Sequence, residues 1–215
     1  MTNLPLRERK YAATKAALMQ GLVSRLAQQT LDEITVKEVC AEIPVSETTF
    51  FNYFPSKQAA IGYRIQLWSI RTLWEMQQQI AQGGTYLDAI ATIFDSAAQG
   101  EEQNPGVMRE VVAFQVSQKF DFQPLIEAEY VHHFPDLPGI TQVEGQSIDR
   151  MIGDQLEAAQ QSGELPLGVD LPALTAILIG VFFISPVMLS SGQSGSLRDF
   201  YRRQLNILFR LTPKP

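Results

Sequence analysis

The sequence predicts an all-α protein, and three observations lead there. Beyond the first eighty residues the chain of 215 shows neither the strict apolar–polar alternation of a half-buried strand nor a repeat period. Glycine and proline clusters punctuate apolar stretches of helical spacing at Gly83 and Gly84 and in the loops GEEQNP, FPDLPGI and QSGELPLG. The stretch Thr35 to Lys57, TVKEVCAEIPVSETTFFNYFPSK, reads as two short helices joined by a turn. A composition 45% hydrophobic suffices for one substantial core or for a small domain joined to a larger one.

Met1 to Leu6 reads as a loose end, followed by Arg7, Arg9 and Lys10. That basic cluster suits a solvated helix start, or an arm that follows a phosphate backbone or enters a minor groove. From about Glu8 to Gln29, Leu18, Leu22 and Leu26 recur at four-residue intervals beside Val23 and give one apolar face. Thr35 and Glu38 then form a capping box, in which the Thr35 hydroxyl accepts from the Glu38 amide while the Glu38 carboxylate reaches back. Val39, Ile43, Val45, Phe50 and Tyr53 fall on the apolar side, with small Cys40 where two helices crossing steeply need room. Ser46 caps the second helix, from Glu47 to Asn52, and Pro55 with Ser56 stops it and starts another. Two turns span about 10 Å, enough to lie across a major groove. The spacing alone fits a helix-turn-helix and equally any small helical hairpin.

After Ser56, Ala60, Ile61, Ile65, Trp68, Leu73 and Met76 carry a long helix to about Ala81. Six more are expected near Tyr86 to Gln99, Pro105 to Lys119, Gln123 to Phe134, Val143 to Gln161, Leu171 to Ser190 and Leu197 to Leu211. The segment LPALTAILIGVFFISPVMLSSG is apolar nearly all round. Pro186 and Ser185, Ser190 and Ser191 argue for a helix buried on all sides and bent or interrupted at the proline, against a membrane span.

The string VSETTFFNYFPSK resembles the N-terminal DNA-binding domain of TetR-family transcriptional regulators, in which a Val-Ser turn is followed by Thr, two aromatics, Tyr or His, Phe and a Lys. Here these are Val45, Ser46, Thr49, Phe50, Phe51, Tyr53, Phe54 and Lys57. The resemblance implies a three-helix DNA-binding domain over residues 1–55 and a larger helical ligand-binding and dimerisation domain over 56–215. It places Glu47, Thr48 and Asn52 at base edges. Asn52 can pair with adenine, Glu47 can accept from cytosine N4, and the Thr48 methyl can meet a thymine. Thr35, Ser46, Thr49, Tyr53 and Lys57 are expected on phosphates, Lys57 in the first turn of its helix, where free amides already favour an anion. Phe50 and Phe54 are expected in the core.

Three positions depart from the family pattern. Pro44 stands where a turn glycine is usual, Phe51 where a tyrosine hydroxyl would meet a phosphate, and Thr30 where a glycine commonly ends the first helix. The resemblance further implies a homodimer through Val143–Gln161 and Leu171–Ser190, a palindromic operator, and a small effector, most often releasing a repressor. Trp68, Phe94, Met108, Phe114, Phe182 and Phe183 are candidates to line its cavity, though residues of these types at helical spacing are also ordinary core. The few charges in the apolar segments suit a mostly apolar ligand.

Charge is consistent with such a division. Residues 1–64 hold eight Lys or Arg against six Asp or Glu, a net +2, and residues 65–215 hold nine against seventeen, a net −8, so the acid lies outside the reading head. One cysteine and no signal sequence point to a reducing cytoplasm. No nucleophile elbow, Gly-rich phosphate loop or metal-ligand cluster supports an enzyme or a cofactor. His132 and His133, neighbours on a helix, point about 100° apart and do not converge on one metal. Two other readings remain: a helical binding protein that has lost DNA recognition, for which Pro44, Phe51 and Glu47 speak, and a membrane-associated helical protein using Leu171 to Ser190.

Overall fold

The computed structural model describes residues 4–117, 122–190 and 195–211, and every described element is helical. In order these are α1 (Leu6–Val23), a 3-10 turn (Ser24–Ala27), α2 (Val36–Glu42), α3 (Glu47–Tyr53), α4 (Lys57–Ala81), α5 (Tyr86–Gln103), α6 (Val107–Ser117), α7 (Glu127–His133), α8 (Ile148–Gln161), α9 (Leu171–Ser190) and α10 (Leu197–Leu211). The expected helices are all present, with shifted ends. α1 is cut short by the 3-10 turn, α5 runs on to Gln103, and α7 starts only at Glu127. α8 starts at Ile148 instead of Val143, because Ile140–Gln142 form a separate 3-10 turn and Val143 lies extended behind it. The end expected for α6 at Lys119, Met1 to Asn3 of the loose end, and Ser191 lie outside the described residues.

Two compact units emerge, one of Met1–Arg71 with Asn104–Gly145, the other of Thr72–Gln103 with Gln146–Pro215. In the first, α1 packs on α2 and α7, and α2 on α3. Leu18, Leu22, Leu26, Ile34, Val39, Phe50 and Phe54 are buried. Gly21 allows α1 and α2 to approach, since a Cβ there would stand 3.1 Å from Ile43 Cδ1. Arg25 ties the same junction, its Nη2 2.6 Å from the Glu42 carboxylate and donating to the Glu38 carbonyl at 3.0 Å. α6 meets the end of α1 through Arg109, which donates to the carbonyls of Leu26 and Gln29 at 3.2 and 2.9 Å. Gly106, at φ +89°, makes that approach possible, because a Cβ there would fall 2.1 Å from the Leu26 oxygen.

α7 carries the unit's buried charge. Glu129, 2% exposed, pairs with Lys15 of α1 at 2.8 Å and accepts from the Ile126 amide at 2.9 Å. The Lys15 ammonium also lies 4.1 Å from the Tyr63 ring centre, a cation–π contact. The Tyr63 hydroxyl stands 3.0 Å from His133 Nε2. Burial, with the Glu129 charge beside it, pushes the Tyr63 phenol up. Burial, helped by His132, pushes His133 down to about 4 and keeps it neutral.

The second unit packs α5 on α8 and α10, and α9 on α8 and α10. The Glu164 carboxylate closes the N-terminus of α5, accepting from the Tyr86 and Leu87 amides at 3.1 Å each. α9 runs uninterrupted through Pro186. The proline removes the N–H that would reach the Phe182 carbonyl, and the Tyr201 hydroxyl of α10 supplies the missing donor at 2.6 Å. Tyr201 is fully buried, stacked at 12° on Phe182 and edge-on to Phe94 at 5.0 Å. The expectation that α9 is buried on all sides is not met within the chain. Leu174, Leu178, Phe182 and Ser185 face inward, whereas Ile177, Ile184, Val187 and Met188 are exposed.

Candidate nucleic-acid interface

The capping box that opens α2 forms as the residue pattern requires. The Glu38 amide donates to Thr35 Oγ1 at 3.2 Å, while the Thr35 amide and hydroxyl donate to the Glu38 carboxylate at 2.8 and 2.7 Å. Those two bonds hold the Glu38 carboxyl below its usual range. They also occupy both donors of Thr35, so the residue expected on a phosphate fixes the start of α2.

The turn between α2 and α3 needs no glycine. Ile43 is extended at φ −113°, and the Val45 amide donates to the Ile43 carbonyl across Pro44. An i to i+2 turn of this kind places its central residue near φ −75°, within the range proline already imposes. Among the described residues only glycines have positive φ. Thr30 is likewise absorbed locally, its amide and hydroxyl donating to the Glu33 carboxylate at 2.8 and 2.9 Å.

Ser46 caps α3, accepting from the Thr49 amide at 3.1 Å, with the two hydroxyls 2.9 Å apart. Cys40 is buried behind this cap, its Sγ 3.7 Å from the Ser46 carbonyl. Burial, and the Glu47 charge, push its thiol up, as suits an inert packing residue. Phe50 and Phe54 anchor α3 in the core, and Tyr53 lies half-buried with its ring 4.9 Å from that of Tyr11 on α1. Glu47, Thr48, Phe51 and Asn52 face outward. Three of these are the residues expected at base edges, and one short capped helix presents them together. The exposed Arg7, Arg9 and Lys10 stand in the first turns of α1.

Lys57 is placed differently from expectation. Its ammonium donates to the carbonyls of Leu31, Asp32 and Ile34 at 2.6, 3.2 and 2.7 Å, which uses all three protons. It ties the loop before α2 to the start of α4, and Ser56 caps that start through the Ala59 amide at 3.1 Å. No local sequence signal marks this contact, because the acceptors are main-chain carbonyls 23 to 26 residues away.

The candidates for a ligand cavity divide between the units. Trp68, Met108 and Phe114 belong to the first. Phe94, Phe182 and Phe183 belong to the second, where Phe182 touches the other two at 5.6 and 5.1 Å around the Tyr201 packing just described. A depression of about 390 Å³ lies elsewhere in the first unit, lined by Ser24, Arg25, Gln28, Gln29, Glu38 and Glu42, and is polar. No cluster of three metal-ligating side chains occurs among the described residues.

Neither a protein-family model nor a curated protein matches the sequence. Solved structures do match the fold. FadR of Thermus thermophilus, a TetR-family transcriptional repressor in complex with lauroyl-CoA, superposes with a TM-score of 0.61 at 17% identity, covering 90% of this chain and 92% of its own. The regulator FadR from Bacillus subtilis in complex with stearoyl-CoA gives 0.63 at 14% identity over 90% and 97%. The ketosteroid regulator KstR2 of Mycobacterium tuberculosis gives 0.58 at 12% identity over 94% and 95%. The chain therefore has the fold of TetR-family regulators along nearly its whole length.

Proposed function

We propose that the chain is a transcriptional regulator of the TetR type, a homodimer that reads a palindromic operator with α3 and acts in the cytoplasm as a repressor released by a small, mostly apolar ligand. The observation that carries this reading is the outward face of α3. Glu47, Thr48 and Asn52 are exposed side by side, while Phe50 and Phe54 fix the helix beneath them. These are residue types that read cytosine, thymine and adenine edges in a major groove. DNA reading falls to residues 1–55, ligand binding and dimerisation to 56–215. Within the head, Ser46, Thr49 and Tyr53 are the phosphate candidates, and Lys57 and Thr35 hold the frame.

Dimerisation is supported by α9. Its exposed strip of Ile177, Ile184, Val187 and Met188 runs for three turns, an apolar face of the kind that marks an interface, and α8 packs beside it. α9 also has the length and hydropathy of a membrane span. A second copy accounts for its exposed side without requiring α8 or α10 to leave water. A dimer is needed on energetic grounds too, since each base contact contributes about 1–3 kcal/mol of discrimination and one two-turn helix makes few of them. Two-fold symmetry doubles the contacts and makes the operator palindromic.

For the ligand, two structural neighbours hold acyl-CoA thioesters, so acyl-CoAs of graded chain length are the first probes. Selection of bound duplexes from a random library tests the whole reading. Enrichment of a palindrome, lost on adding the right acyl-CoA, is expected. Recovery of no sequence at low salt, with and without acyl-CoAs, would leave a helical binding protein without DNA recognition.

A further inference from the structure

We propose that Phe51 is a specificity-determining residue that takes the 5-methyl group of a thymine in the major groove, an inference that rests on the DNA-reading role of α3. The family pattern places a phosphate-contacting tyrosine here, and the geometry points to a different use for phenylalanine. Phe51 is 49% exposed, whereas Phe50 is fully buried and Phe54 nearly so. It follows Glu47 by four residues and Thr48 by three, the spacings at which helical side chains are neighbours, and both are exposed with it. Its ring meets that of Phe50 edge-on, at 5.5 Å and 82°, so a core residue props it in place and it need not be ordered on binding.

The chemistry narrows what this ring can recognise. A phenyl ring has no donor for a phosphate oxygen and none for a base-edge acceptor. In the major groove the one apolar group that varies with sequence is the thymine methyl, and contact with it distinguishes T·A from the other pairs. Thr48, whose methyl suits a thymine as well, adjoins Phe51 on the same strip, so the pair forms an apolar patch between the polar readers Glu47 and Asn52. An operator half-site with a thymine under each is the expected match.

The test uses the full-length protein and the duplex enriched from a random library, with each thymine replaced singly by deoxyuridine, which removes only the methyl. The wild type should lose about fourfold in affinity per half-site at the thymine under Phe51, the worth of one buried methyl. Phe51→Ala should bind that deoxyuridine duplex and its thymine parent equally, while keeping any sensitivity due to Thr48. Phe51→Tyr, which retains the ring, should keep the preference. The slope of log affinity against log salt should be the same in wild type and Phe51→Ala, since neither side chain at this position contacts a phosphate. A melting temperature within a few degrees of wild type for Phe51→Ala excludes misfolding, and Phe51→Gln, polar and a good helix former, replaces it should that variant melt early. The assignment is overturned if no thymine is methyl-sensitive, if Phe51→Ala retains every sensitivity of the wild type, or if its salt slope falls. Selective binding with no methyl effect overturns Phe51 alone, whereas failure to bind any duplex overturns the regulator reading with it.

Discussion

Removing one oxygen atom from Tyr201 should weaken the second unit more than any loss of packing explains. Pro186 leaves the Phe182 carbonyl without its helical partner, and the buried Tyr201 hydroxyl, 2.6 Å away, is the donor in its place. Tyr201→Phe keeps the ring stacked on Phe182 and edge-on to Phe94 but removes that buried hydrogen bond, at a cost of about 0.5–1.5 kcal/mol. For a chain of 215 residues this corresponds to a fall in Tm of roughly 1–6 °C. Urea unfolding at fixed protein concentration reads the change directly. Pro186→Ala supplies the internal control, because the restored N–H can reach the same carbonyl. Tyr201→Phe in that background should cost less than half as much as in the wild type. Equal costs in the two backgrounds would refute the link between proline and tyrosine, and a negligible cost in the wild type would show that the hydroxyl does not support α9.

Three further outcomes are expected. Lys15→Met strands the Glu129 carboxylate beneath α1 and should destabilise the first unit by about 3–5 kcal/mol, read by urea unfolding, whereas Glu129→Gln paired with Lys15→Met should recover much of that loss. His133 titrates near 4 when folded and near 6.5 when unfolded, so the unfolded chain binds the extra proton first and stability should fall as pH drops from about 6.5 towards 4. The slope should approach 1.4 kcal/mol per pH unit at most, and His133→Asn should flatten it in a series of denaturant midpoints. Ile184→Glu, at a side chain 54% exposed on α9, should leave the fold intact by circular dichroism, convert the protein to monomer on a sizing column, and cost it operator binding.

The sequence was most legible where local rules act. Thr35 with Glu38 and Ser46 with Thr49 are spaced for capping, and both caps form, so α2 and α3 begin where the pattern puts them. Phe50 and Phe54, four apart, went to the core as their spacing requires. What sequence alone could not show were pairings across long intervals. Lys57 reads as a cation at a helix start, and only the fold brings three carbonyls from residues 31–34 around it. Glu129 stands two residues from Glu127, a spacing that in sequence suits a solvated acidic face, and it is buried because Lys15, 114 residues earlier, pairs with it. α9 looked uniformly apolar, and its sequence does not say which side faces the rest of its own chain. Pro44 departed from the family pattern yet is accommodated, because a turn closed between Ile43 and Val45 asks for the backbone angle that proline has.

That α3 reads bases is the claim on which the regulator account stands, and Asn52→Ala tests it most directly. Affinities of wild type and variant are measured on the selected operator and on every single-base-pair substitution of it. The expected result is that Asn52→Ala loses discrimination of about 1–3 kcal/mol at one symmetry-related base pair in each half-site, with the other preferences and the salt slope unchanged. A uniform loss at all positions, or no change at any, would contradict the account.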